Sequence, residues 1–287
     1  MDTKTVPLAY VARGAVLVLA CSVAAVHWWR SPSSVVVIVL AVLAAAIWAA
    51  LGATTLSNAV WEGMLSQDLT WYAHRRPEGP AVSDEPRSKD TEFLVGQMRT
   101  VEERVQDFLR ETDMTHISLA VTGGWLGLWH EAASIRSGTS GHIDLGYFWL
   151  WPDRSTVLPY TLEHELAHLH RNDARTRLAI TTVRTALIVL CAGFLPLSHA
   201  ALALVALAAI GSGYRWWVEL ACDRAAALHC GRDVAIETWK QDLADARQVP
   251  LIRRMLSAAL ALRSHPPMML RLWWARCTPA PAGGNPR

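Results

Sequence analysis

His164-Glu165-Leu166-Ala167-His168 sets two imidazoles four residues apart with a carboxylate between them. The surrounding stretch, residues 161–173, reads as helix, and on a helix side chains four apart share one face. Two imidazoles so spaced can bind one Zn²⁺ while Glu165 projects beside them toward a water. Neutral imidazole is a good zinc donor, and the cation lowers the pKa of its water toward about 7. A neighbouring carboxylate can then take that water's proton and hand it to a leaving amine. The competing reading is a solvated helical face that happens to carry two histidines. Glu163 and His170 lie in the same run but point to other sides of the helix.

Two histidines and a water leave a tetrahedral zinc one protein ligand short. Glu219 is the best candidate, in the stretch Glu219-Leu220-Ala221-Cys222-Asp223. Glu219 and Asp223 again share a helical face, so Glu219 can ligate the metal while Asp223 accepts a hydrogen bond from a ligand histidine. Taken alone, the same pair is a common pattern on the surface of an amphipathic helix.

The elements that must position these groups are partly membranous. Of 287 residues, 52% are hydrophobic and only 18% charged, which suits membrane spans joined to a modest soluble domain. The net charge of +2 is too balanced to suggest nucleic acid. Five cysteines without C-x-x-C spacing indicate neither a disulfide framework nor a cysteine zinc site. Segments 14–29 and 31–61 lack formal charge and form a helical hairpin about Pro32. A signal peptide is the rival reading of the first, disfavoured by the second span that follows at once. Segments 185–197 and 199–213 are near the lower limit for crossing a bilayer, and Arg215-Trp216-Trp217 reads as an interfacial anchor at their exit. An antiparallel hairpin here returns the chain to its starting side and brings Glu219 back toward His164 and His168. Arg30 alone occupies the loops on one side of the spans. Lys4, Arg13, Arg75, Arg76, Arg171, Arg175, Arg177, Arg215 and Arg224 lie on the other, which places both termini and the catalytic region in the cytoplasm.

Residues 72–90, rich in Pro, Arg and acids, read as an exposed linker. Phe93, Leu94, Met98, Val101, Val105, Phe108 and Leu109 form a helical stripe. Residues 115–121 and 142–151 have β-type composition. The second run enters the motif helix directly, so His142, Ile143, Asp144 and Leu145 are candidates for an edge strand that holds an extended substrate. An ordinary core strand is the alternative. The predicted organisation is an N-terminal transmembrane hairpin (1–61), a linker (62–90), a first catalytic part (91–177), a membrane hairpin (178–213), a second catalytic part (214–277) and a disordered tail (278–287).

In this order, two spans, H-E-x-x-H, an apolar hairpin and E-x-x-x-D, the chain resembles the HtpX-type membrane zinc metallopeptidases, a family that includes the prenyl-protein (CAAX) endoprotease. The likeness covers nearly the whole sequence. It implies His164, His168 and Glu219 as ligands of one Zn²⁺ per chain, Glu165 as general base, and Asp223 and Asp173 as acidic residues around the ligands. Ser264-His265-Pro266-Pro267 with Arg271 resembles a turn near that family's C-terminus. Cys222 departs from the family's usual alanine, Arg171-Asn172 replaces its usual Asn-Gly order, and its Asn-Ala pair is missing from residues 132–141. Glu219-Leu-Ala-Cys-Asp223 is also similar to the BlaR/MecR-type sensor peptidases, which cleave a repressor. Those carry more N-terminal spans and a sensor domain, so the layout favours the first family. A catalytically inactive membrane relative is the remaining alternative.

The expected fold is therefore a mainly α membrane protein: four apolar helical segments plus a cytoplasmic α+β zincin-type domain with a small antiparallel sheet and the H-E-x-x-H helix. The implied setting is a multi-pass protein of the cell membrane. Its partners would be the lipid bilayer and protein or peptide substrates, misfolded membrane proteins above all, with no nucleic acid and no indicated oligomeric state.

Overall fold

The computed structural model describes residues 5–30, 33–75, 89–122, 132–262 and 264–279. Most of these are helical, and the chain forms two compact units: Met1–Ala59 with Asp173–Tyr214, and Val60–Asn172 with Arg215–Arg287.

The first unit contains α1 (Thr5–Arg30), most of α2 (Ser34–Arg75), α5 (Asp173–Phe194) and the first half of α6 (Leu197–Cys230). All four helices are long and apolar enough to cross a membrane. Their large side chains, such as Val18, Leu19, Val42, Leu202 and Ile210, are exposed on the outside. The inside is built from small residues instead. Ala20 and Ala24 of α1, Val37, Ala41 and Ala44 of α2, and Val189 of α5 form one buried cluster. That is the pattern expected where lipid supplies no hydrophobic drive and helices associate through close contact. Gly193 marks one close approach: a Cβ there would lie 2.4 Å from Val37 Cγ1 and 3.4 Å from Ala24 Cβ. The third and fourth helices are longer than their apolar segments, because the polar run after Asn172 is already helical and α6 continues without a break through Glu219 and Asp223. Likewise α2 runs on to Arg75 where a linker was expected from residue 62, and residues 76–88 lie outside the described residues.

The second unit holds α3 (Lys89–Glu111), α4 (Leu158–Arg171), α7 (Arg232–Gln248), α8 (Leu251–Ala261), α9 (Met268–Cys277) and a three-stranded sheet. The α3 stripe buries Val101, Val105 and Phe108 against Ile117 and Leu119 of β1 (His116–Thr122), Ile143 and Leu145 of β3 (Ser140–Gly146), and Leu162, Leu166 and Leu169 of α4. The sheet corrects the antiparallel expectation. Its order is β1-β3-β2: β3 pairs parallel with β1 and antiparallel with β2 (Ala132–Ser137). The β2–β3 turn uses Gly138 at φ 62, a conformation glycine adopts without steric cost.

β3 also stops earlier than expected. Residues Tyr147–Leu150 coil into a 3₁₀ turn that buries both Trp149 and Leu150. α4 follows, with proline in its first turn and Asn172 closing it in the left-handed conformation, φ 51. A second cluster joins Tyr160 of α4, Ala226 and Ala227 of α6, Trp239 of α7 and Leu272 of α9, and Trp239 Nε1 donates to the Tyr160 hydroxyl at 3.1 Å. Of the expected tail, Thr278 is buried at the end of α9, and residues 280–287 lie outside the described residues.

Replacing Gly193 by Leu is expected to cost about 1–3 kcal/mol by overpacking α1 and α2 against α5. Thermal unfolding in detergent measures it, and a melting temperature equal to wild type would show that the close approach is absent.

Candidate metal centre

At 100° per residue, the leucine stripe of α4 and the pair His164/His168 fall on opposite sides of the helix. Burying the leucines in the core therefore turns both imidazoles toward α6. The two Nε2 atoms are 3.2 Å apart. Glu219 of α6 places Oε2 3.5 Å from His164 Nε2 and Oε1 3.6 Å from His168 Nε2. Three donors around a tetrahedral zinc with bonds of about 2.0–2.1 Å must stand about 3.3 Å from one another. The donor set fits a metal in both type and spacing.

The carboxylates around this point are deeply buried, Glu219 at 4% exposure and Asp223 at 1%. Two such charges in a protein interior require compensation. Arg271 of α9 provides it: Nε donates to Asp223 Oδ2 at 2.7 Å and Nη2 to Oδ1 at 2.6 Å. The same Nη2 lies 3.7 Å from Glu219 Oε2, and the guanidinium stacks 3.9 Å from the Trp239 ring. Asp223 Oδ1 in turn lies 2.9 Å from His164 Nδ1. A proton held on Nδ1 leaves the Nε2 lone pair facing the donor cluster, the tautomer a metal ligand needs. Burial pushes His164 toward the neutral form, but Asp223 and Glu219 outweigh it and raise its pKa to about 10. Without a cation this imidazole thus carries the positive charge that the two carboxylates demand. Cys222, one residue before Asp223, is fully buried with Sγ 3.4 Å from His168 Nδ1.

Glu165 is buried, and its carboxylate is tied to β2. Ser134 Oγ lies 2.7 Å from Glu165 Oε2 and 3.0 Å from its carbonyl oxygen, and its single proton serves one of them at a time. Arg136, two residues on and on the same face, donates to the Leu169 carbonyl at 3.1 Å near the end of α4. β2 is thus the strand beside the H-E-x-x-H helix and, among the described residues, an edge of the sheet.

That overturns the assignment of His142, Ile143, Asp144 and Leu145 as an edge strand. They lie in β3, the central strand, whose backbone is paired on both sides. Ile143 and Leu145 are fully buried, and His142 Nδ1 sits 2.8 Å from Ser118 Oγ, with burial lowering its pKa. Alternation made the segment legible as a strand but could not tell an edge from a centre. Asp173, expected as an acidic residue around the ligands, is the buried first residue of α5. Glu163 faces away from the donors and is bound by Arg104, with Nη2 at 3.2 Å.

The turn that carries His265 also reaches the donor cluster. Half exposed between α8 and α9, His265 holds Nε2 3.8 Å from Glu219 Oε2, at the open margin of the site. Ser134 could not be found from sequence, because its partner lies 31 residues away on another element.

No protein-family model, curated protein or solved structure matches the chain.

A folded-state pKa of about 10 for His164, above its ordinary 6.5, contributes stability that is complete below pH 6.5 and lost as pH rises through 10. The metal-free protein should therefore lose thermal stability between pH 7 and 10. Asp223→Asn should flatten that slope and weaken divalent-metal affinity by about 10- to 100-fold. Melting curves of chelated wild type and variant across this range check it, and parallel slopes would contradict the assigned His164–Asp223 interaction.

Proposed function

We propose that this chain is a multi-pass membrane zinc endopeptidase with its active site on the cytoplasmic side. The observation that carries the reading is the convergence of His164, His168 and Glu219 at metal-ligand spacing, with Glu165 on the same helix. The four apolar helices and the concentration of Lys and Arg on one side of them support the membrane setting and its orientation.

His164, His168 and Glu219 would hold the zinc, which when bound supplies Lewis acidity toward water and toward the scissile carbonyl. The remaining steps belong to the chain. An extended substrate would add alongside β2, which Ser134 and Arg136 tie to α4, by the backbone pairing that extends a sheet. Glu165 takes the proton of the attacking water and returns it to the departing amine. Ser134 orients that carboxylate and fixes its height relative to the substrate strand. His265, whose Nε2 lies 3.8 Å from Glu219 Oε2, would serve as the donor to the developing oxyanion. Asp223 and Arg271 keep His164 oriented through the cycle. The substrate class that suits such a site is misfolded or damaged membrane protein, in quality control rather than at one defined bond.

Purified Glu165→Ala should retain about one zinc per chain and lose casein cleavage, whereas Glu219→Ala should lose the metal. His265→Ala should keep zinc and drop kcat by about 10²–10³. Metal analysis beside a cleavage assay reads all three. Unchanged cleavage by Glu165→Ala, or full zinc in Glu219→Ala, would refute the assigned roles.

A further inference from the structure

α8 presents its apolar side outward. Leu251, Ile252, Met255 and Leu256 are 59%, 83%, 63% and 61% exposed, and Leu262 just beyond continues the stripe. At 100° per residue these side chains share about 140° of the helix surface. Arg253 and Arg254 lie outside that arc. Residues 248–287 contain six Arg and neither Asp nor Glu. An exposed apolar stripe edged by arginine, in an acid-free region, is the composition of a helix that lies in the headgroup layer of an anionic bilayer.

Two hydrogen bonds tie this part of the chain to α6 within the second unit. Trp216 Nε1 donates to the Leu262 carbonyl at 2.9 Å, just past the end of α8, and Trp274 Nε1 of α9 donates to the Leu220 carbonyl at 2.9 Å. Both partners on α6 fall within the first turns after its apolar stretch, where Arg215, Trp216 and exposed Trp217 form the aromatic boundary expected at a membrane surface. Met269 and Trp273 of α9 are exposed as well.

We propose that α8 is an interfacial anchor that lays this unit on an anionic lipid surface, with His265, three residues past the stripe, opening the metal site toward that surface. The inference rests on the membrane part of the proposed function and not on its peptidase part.

The test uses the full chain in phosphatidylcholine vesicles with and without phosphatidylglycerol. Ile252 and Leu256 are replaced one at a time by the photo-crosslinker p-benzoylphenylalanine, with exposed Lys240 of α7 as control. Lipid adducts are expected from 252 and 256 and not from 240. Their yield should rise roughly fivefold for each arginine facing the headgroups when phosphatidylglycerol is present. Arg253→Glu with Arg254→Glu should remove the rise. Adducts to a second copy, or no lipid adducts from 252 and 256, would overturn the proposal. Alkaline extraction of the same vesicles separates the two failures: a chain that washes out refutes the spans themselves, and a chain that stays without adducts refutes only the anchor.

Discussion

Two buried carboxylates, Glu219 and Asp223, one helical turn apart, are the constraint on which this site depends. Neither can stay ionised in a protein interior without a cation against it. Arg271 answers one through a bidentate bond, and the imidazole edge of His164 meets both. With His164 protonated, two cations stand against the two carboxylates in the metal-free site. A divalent cation held by the proposed centre would take the place of the proton that this electrostatics keeps on His164.

The surrounding fold serves this requirement. The leucine face of α4 anchors the H-E-x-x-H helix to α3 and the sheet, leaving its histidine face for α6. Tyr160 and Trp239 pack α4, α6 and α7 together, and Trp239 also backs the Arg271 guanidinium, so the counter-charge to Asp223 is set by the same cluster. On the other side, Ser134 and Arg136 bind β2 to α4 at Glu165 and at the helix end. The position of the Glu165 carboxylate is thereby linked to the strand beside it.

What could be read from sequence follows from the range of each signal. H-E-x-x-H and E-x-x-x-D are helical repeats within five residues, so type and spacing already define a face. Apolar segment length likewise announced four helices that can span a bilayer. Sheet order was not legible. β2 is six residues with weak alternation, and whether β3 is central or at an edge depends on pairings that no local pattern records. Composition also misjudged where helices end: α2 and α5 continue through polar residues that hydropathy assigns to loops. His265 and Ser134 acquire meaning only through contacts 46 and 31 residues away, the first at Glu219 and the second at Glu165.

X-ray absorption at the zinc edge of the metal-loaded protein tests the centre most directly. The account predicts only nitrogen and oxygen neighbours at about 2.0–2.1 Å, two of them imidazole. A sulfur neighbour at about 2.3 Å would place Cys222 on the ion and contradict the assignment of Glu219 as the third ligand.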